Sequence, residues 1–287
     1  MKELLILQMI AHLLADFIFQ PERWCKEKEK NIFSKKLFLH SAIVFICSFL
    51  LSFSLSFWWA ALIISVLHFG IDVTKNCWIK KNRLLKCLIK TNCLSIKKEW
   101  LLIKKYRLLI KKWNAYLFFI DQTFHFIVII IVTYWFVKHN DNFSLNNPFT
   151  KTIFDNLALL FPQKIIVFFC STKGLLVIFS FIFCLKPANI FIKKIIDSSG
   201  ISITKDNKND ESLERAGGFI GVLERCLSFI LILFGQYEAV GFIIAAKTIL
   251  RFRDEKNAEA KTEYLLIGSL MSFGIAILLG IFCKEII

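Results

Sequence analysis

The sequence predicts an all-α, polytopic membrane helix bundle, and three observations carry that expectation. Of 287 residues 56% are hydrophobic, yet the net charge is +15, so apolar and charged residues must be segregated along the chain. Uncharged apolar runs of roughly 20 residues recur, the length that crosses about 30 Å of hydrocarbon. The segments between them alternate between lysine-rich and lysine-poor. About seven or eight transmembrane helices are expected, with a basic amphipathic interfacial helix.

The first helix is expected over residues 3–20, ELLILQMIAHLLADFIFQ. It carries one lysine ahead of its apolar stretch but no small-residue cleavage site, and His12 and Asp16 interrupt it, so retention as a helix is expected over removal as a signal peptide. Helices two to four follow at 38–56, 58–74 and 115–136. A fifth is expected at 174–192, or alternatively at 165–185, because Lys186-Pro187 interrupts its far end. The sixth and eighth lie at 217–235 and 263–282, and the seventh, 238–250, is short enough to be re-entrant.

Lysine and arginine set the expected orientation. Residues Pro21 to Leu37 contain Arg23, Lys26, Lys28, Lys30, Lys35 and Lys36, and the segment from Lys75 to Lys112 is denser still. Lys193 to Arg215 and Arg251 to Lys261 are also basic, whereas Ser54 to Phe57 has no basic residue and the long segment from Lys138 to Lys173 has few. The positive-inside rule places the dense set in the cytoplasm and the amino terminus outside. The expected location is the bacterial inner membrane.

Within residues 78–113, Ile96, Trp100, Ile103, Ile110 and Trp113 fall at helical spacing among Lys97, Lys98, Lys104, Lys105, Arg107, Lys111 and Lys112. This is the pattern of a helix lying on anionic lipid, with a solvated basic loop as the plain alternative. Membrane lipids are the expected partner, and no nucleic acid is expected. The stretch SSGISITKDNKNDESLER has no apolar periodicity and is expected to be a cytoplasmic linker. Three regions result: 1–137, a four-helix membrane domain; 138–216, an external loop, the fifth helix and the linker; and 217–287, the carboxy-terminal helices. Nine cysteines (Cys25, Cys47, Cys77, Cys87, Cys93, Cys170, Cys184, Cys226 and Cys283) occur singly, without a CxxC pair, so no disulfide framework is expected.

Four of the five histidines fall inside expected spans. His12 with Asp16, His68 with Asp72, and Asp121 with His125 are each four residues apart, on one helical face. The order is reversed in the third pair, whose helix runs the opposite way, so all three aspartates fall on the cytoplasmic side of their histidines. His40 lies at similar depth. An aspartate within a span costs about 2.5–3.5 kcal/mol on insertion scales, so three of them need a common remedy. One remedy is a divalent cation, Zn²⁺, Fe²⁺ or Mn²⁺, held by His12, Asp16, His40, His68, Asp72, Asp121 and His125, since imidazole nitrogens and carboxylate oxygens are its usual ligands. The other is a hydrogen-bonded His and Asp network that passes protons.

HLLADFIFQP, LHSAIVF, LHFGIDVTK and IDQTFH, with GGFIGVLERCL and GQYEAVGFIIAAKTILRF far downstream, resemble an uncharacterised bacterial membrane family, domain of unknown function 3307, over nearly the whole chain. That resemblance implies no established activity. The H-x-x-x-D pattern of His12, Asp16, His68 and Asp72 is also similar, more loosely, to predicted membrane-bound metal-dependent hydrolases. In the carboxy-terminal helices Glu224, Arg225, Glu238 and Lys247 are expected either to pair across helices or to hold a lipid phosphate. The chain has no P-loop, GxSxG or HExxH motif, which removes support for nucleotide-driven pumping and for the common serine and zinc peptidase chemistries. The leading functional expectation is a metal site opening to the cytoplasmic leaflet that hydrolyses a lipid-linked ester or phosphoester, with Asp16, Asp72 and Asp121 as the candidate catalytic carboxylates. A proton-coupled or metal-ion transporter using the same residues, and a non-catalytic membrane scaffold, are the alternatives.

Overall fold

The computed structural model describes residues 1–30, 33–92, 100–140, 156, 162–199, 209–254 and 259–286. Among them are eleven α-helices and no strand. The chain divides into two compact units, Met1–Leu175 and Leu176–Ile287.

In the first unit α1 (Lys2–Leu13), α3 (Lys35–Leu51), α4 (Trp58–Asn92) and α5 (Trp100–His139) form a closed ring, each helix packing on two neighbours in the order α1, α3, α4, α5. Short α2 (Glu22–Lys30) lies against α3 and α4. Small residues let the helices approach: Ala11, Ala15, Ala60 and Ala61 are buried beside Leu4, Val44, Phe57, Ile64, Ile129 and Phe136. Phe57 meets Phe136 edge to face with ring centroids 4.8 Å apart. Because lipid tails are as apolar as leucine, packing and interhelical hydrogen bonds must hold such a bundle. Gln8 donates to the Ser48 carbonyl at 3.0 Å and accepts from its hydroxyl, while Ser41 and Ser65 bond each other at 2.8 Å. Each such bond contributes on the order of 0.6 kcal/mol.

The second unit contains most of α7 (Thr172–Cys184), then α8 (Lys186–Ser199), α9 (Asn209–Leu233), α10 (Tyr237–Asp254) and α11 (Glu259–Ile286). Here α9 packs on α8, α10 and α11, and α8 packs on α11. α9 ends in a Schellman turn, with Gln236 N–H on the Leu231 carbonyl, Gly235 N–H on the Ile232 carbonyl, and φ of +75° at Gly235. A Cβ on Gly280 would stand 2.7 Å from Ile232 Cγ2, so α11 crosses α9 only because that position is glycine.

Helices stand at all eight places where spans are expected, but the span count is corrected. Among the described residues three segments, Leu55–Asn82, Lys112–His139 and Leu266–Ile286, are long and apolar enough to cross a membrane, or four if α6 (Gln163–Cys170) and α7, bent by 74°, act as one span. Length explains part of the shortfall. The 12 residues of α1 reach only about 18 Å, and the 17 of α3 about 25 Å. The expected fifth helix is cut at Leu185, with Pro187 in the first turn of α8.

The basic amphipathic segment is also corrected. From Trp100 it is helical but continues without a break into α5, a 40-residue helix about 60 Å long. Residues 78–92 likewise extend α4, and 93–99 lie outside the described residues, as do most of the expected external loop and residues 200–208 of the linker. Residues 209–216 of that linker form the start of α9.

Polarity in the first unit is arranged inside out. Leu62, Ile63, Val66 and Leu67 of α4 and Ile127, Ile130 and Ile131 of α5 are exposed, while His12, His40, His68, His125, Asp72, Asp121 and Lys28 are buried. That distribution suits lipid around the bundle.

Candidate metal centre

Four helices and one irregular turn bring the polar residues together. α1 gives way at Leu14 to a π-helical turn, Leu14–Ile18, closed by Phe19 N–H on the Leu14 carbonyl at 2.8 Å. Such wider turns re-aim side chains within a helix, and this one carries Asp16. Ser34 caps α3, its hydroxyl accepting from Leu37 N–H, which starts the helix one and a half turns before His40. α4 supplies His68, Asp72 and Lys75 from one face, and α5 supplies Asp121, Gln122 and His125.

All seven histidines and aspartates expected in the site lie in one buried layer of the bundle, their side chains at most 8% exposed. Asp16 Oδ1 is the focus. His68 Nε2 lies 2.9 Å from it, His40 Nε2 3.3 Å and His12 Nδ1 3.8 Å. Their rings crowd together: His68 stacks on His125 at 3.8 Å with 14° between planes, and His12 and His40 stand 5.6 and 5.1 Å from His68. Three overlapping groups, His12–Asp16–His68, His40–His68–Asp72 and Asp72–Asp121–His125, each hold their ligand atoms within 4.8 Å of one another.

Three residues that sequence reasoning missed complete the cluster. Lys28 Nζ, buried, reaches Asp72 Oδ2 at 2.8 Å. Lys75 Nζ lies 2.8 Å from both Asp72 Oδ1 and Asp121 Oδ2. Gln122 donates to Asp16 Oδ2 and Asp121 Oδ2, both at 3.3 Å, and its carbonyl stands 3.2 Å from His12 Nε2. Lys75 and Gln122 were findable: one lies three residues after Asp72 on the same face, the other beside Asp121 in IDQTFH. Lys28 had no such signal, because only the fold of α2 back onto α4 brings it in.

The lysines change the electrostatic argument made from sequence. Three carboxylates against two ammonium groups leave one negative charge, so Asp72 and Asp121 are neutralised by the chain itself, and Asp16 faces imidazoles and the Gln122 amide but no ammonium. The imidazoles around Asp16 could contribute to a transition-metal site. With bonds of about 2.0–2.1 Å, neighbouring ligand atoms in a tetrahedral site stand about 3.3 Å apart, against the observed 2.9, 3.3 and 3.8 Å. Gln122 adds a second match. Its amide nitrogen faces two carboxylates, so its oxygen must accept from His12 Nε2–H, which leaves the His12 Nδ1 lone pair directed toward Asp16. Metal-binding histidines are oriented in this way, through a hydrogen bond on the other ring nitrogen. His12 Nδ1, Asp121 Oδ1 and both ring nitrogens of His125 have no hydrogen-bond partner among the described residues.

The polar residues of the second unit do other work. Glu224 and Lys247 form an ion pair between α9 and α10. Buried Arg225 donates to the Cys184 carbonyl at 2.8 Å, the Ser272 hydroxyl at 2.8 Å and the Leu185 carbonyl at 3.2 Å, closing the end of α7. Glu238 is exposed at the start of α10.

A family described as Protein of unknown function (DUF3307) matches residues 4–154. The chain belongs to this family. The match takes in α1 to α5 and every member of the His/Asp layer, so the buried cluster sits inside the DUF3307 region. It does not extend over nearly the whole chain: GGFIGVLERCL and GQYEAVGFIIAAKTILRF lie beyond it. No curated protein and no solved structure matches the chain.

Proposed function

We propose that this DUF3307 chain is an inner-membrane protein that holds one divalent transition-metal ion at His12, Asp16, His40 and His68, in the cytoplasmic leaflet, and hydrolyses an ester or phosphoester of a membrane lipid. The observation that carries the reading is the convergence of three imidazoles on the single oxygen Asp16 Oδ1. A bound Zn²⁺, Fe²⁺ or Mn²⁺ would act as a Lewis acid on the ester oxygen and make water a better nucleophile. Asp16 supplies the anionic ligand oxygen, and Gln122 holds His12 in the tautomer that presents Nδ1. Asp121 Oδ1, unpartnered and 3.5 Å from His125 Nε2, is the carboxylate oxygen placed to accept a proton. Lys28 and Lys75 hold Asp72 in place rather than leaving it as a base. The density of lysine in residues 21–37 and 75–112 supports the cytoplasmic orientation and an anionic lipid surface as partner.

Elemental analysis of protein purified without a histidine tag tests the metal. Wild type is expected to carry one equivalent, and His68→Ala to lose it together with about 3–5 kcal/mol of stability, the cost of breaking a buried charged pair. A wild type without stoichiometric metal removes the hydrolase. One observation favours a second reading in that event: the layer retains a single negative charge, which one proton neutralises, so a proton-coupled carrier fits the same residues. Proton flux into proteoliposomes that Asp16→Asn abolishes would establish it.

A further inference from the structure

Lys75 occupies an unusual place. Its ammonium lies 2.8 Å from one oxygen of Asp72 on its own helix and 2.8 Å from one oxygen of Asp121 on α5, so it bridges two carboxylates as a bound cation would. The third group at this position is His125, whose two ring nitrogens are buried and without a hydrogen-bond partner among the described residues. Its Nε2 stands 3.5 Å from the other oxygen of Asp121, itself unpartnered. The ligand atoms of Asp72, Asp121 and His125 lie within 4.8 Å of one another, and none of these residues is needed to complete the set around Asp16.

A buried imidazole with neither nitrogen satisfied costs stability, because each nitrogen loses its bond to water without a replacement. Beside two carboxylates it is the ligand set that would complete a metal position, being one neutral nitrogen and two anionic oxygens. The lysine side chain leaves that set partly used: the ammonium takes one oxygen from each carboxylate and none of the imidazole.

We propose that Asp72, Asp121 and His125 form a second cation position, that the Lys75 ammonium fills it as a built-in monovalent cation, and that Lys75 thereby restricts the layer to a single divalent ion. This rests on the reading that His12, Asp16, His40 and His68 hold the first ion. Replacing the ammonium by a neutral group of similar volume should convert a one-ion site into a two-ion site. The charge drives the exchange: without Lys75 the two carboxylates face one remaining ammonium, Lys28, and the uncompensated negative charge attracts a cation to the new position.

The test is Zn²⁺ stoichiometry by elemental mass spectrometry and equilibrium dialysis on the full-length protein in detergent. Wild type and Lys75→Arg are expected to bind one equivalent, Lys75→Met two, and Lys75→Met/His125→Ala one. A Lys75→Met protein that stays at one equivalent overturns the proposal, and so does a wild type that binds two. If wild type binds none while Lys75→Met binds one that His125→Ala removes, the second position stands and the function proposed above falls. Zero in both rejects both ideas. Should Lys75→Met not fold, His125→Ala in the wild-type background decides: one retained equivalent agrees with His125 serving only the second position, and loss of the ion overturns it.

Discussion

Gln122 shows how much one neutral side chain organises. It donates to Asp16 and Asp121 and receives His12, so two of its three contacts link α5 to α1 and the turn that follows it, and it fixes which nitrogen His12 turns toward Asp16. Gln122→Leu should therefore weaken metal affinity about 10–100-fold, the usual effect of losing an outer partner, while stoichiometry at saturating metal stays unchanged. Titration with Zn²⁺ by calorimetry reads both quantities, and an unaltered affinity would mean that His12 is oriented by packing alone. Three of the four histidines in the layer were legible as site residues because each lies four residues from an aspartate. The partners of those aspartates were less so: Lys75 and Gln122 lie beside Asp72 and Asp121 in the sequence, but a lysine at the end of an apolar run reads as a membrane flank until its direction is known. Lys28 is the extreme case: its ammonium is buried against Asp72, 44 positions away.

At the scale of single elements, the packing of α9 against α11 depends on Gly280. Gly280→Val should cost about 1–3 kcal/mol through overpacking against Ile232, read as a lowered unfolding midpoint in detergent. Gly274→Val on the same helix, where nothing lies within 4 Å of an added Cβ, should leave that midpoint unchanged and serves as the control. The lower part of α5 carries a different expectation. A synthetic peptide of residues 96–113 should gain helix on phosphatidylglycerol vesicles and lose binding as salt shortens the Debye length to about 10 Å at 0.1 M. Absence of helix gain would mark the segment as a helix only because α5 continues through it. Amphipathic pattern identified the helical state of this stretch from Trp100 but not its continuity, because the periodicity of a separate surface helix and of the first turns of a longer helix is the same.

The first unit exposes apolar side chains along α4 and α5 while it buries the His/Asp layer with Lys28. Its orientation in the membrane is testable by impermeant thiol labelling of single cysteines on a cysteine-free background. Asn82→Cys, at the end of the first apolar segment, and Asn146→Cys, beyond the carboxy-terminal end of α5, should be labelled from opposite sides of intact cells. Labelling of Asn82→Cys from outside inverts the proposed topology and moves the metal layer to the outer leaflet. The number of crossings belongs to this scale too. Hydropathy counts apolar residues, and it placed a helix at every expected position. Whether a helix is long enough to cross depends on where its backbone breaks, as at Leu185.

The sequence by itself determined the helical class, the positions of the helices, and the shared face of each His/Asp pair. These follow from local periodicity, because residues four apart in a helix are neighbours whatever surrounds them. Only the tertiary structure decided that α1, α3, α4 and α5 close into a ring around Asp16, that Lys28 and Lys75 neutralise Asp72 and Asp121, and that Arg225 serves backbone carbonyls while Glu224 pairs with Lys247. A buried charge takes whichever partner the packed helices bring within about 3 Å, and that choice is made between segments far apart in the chain.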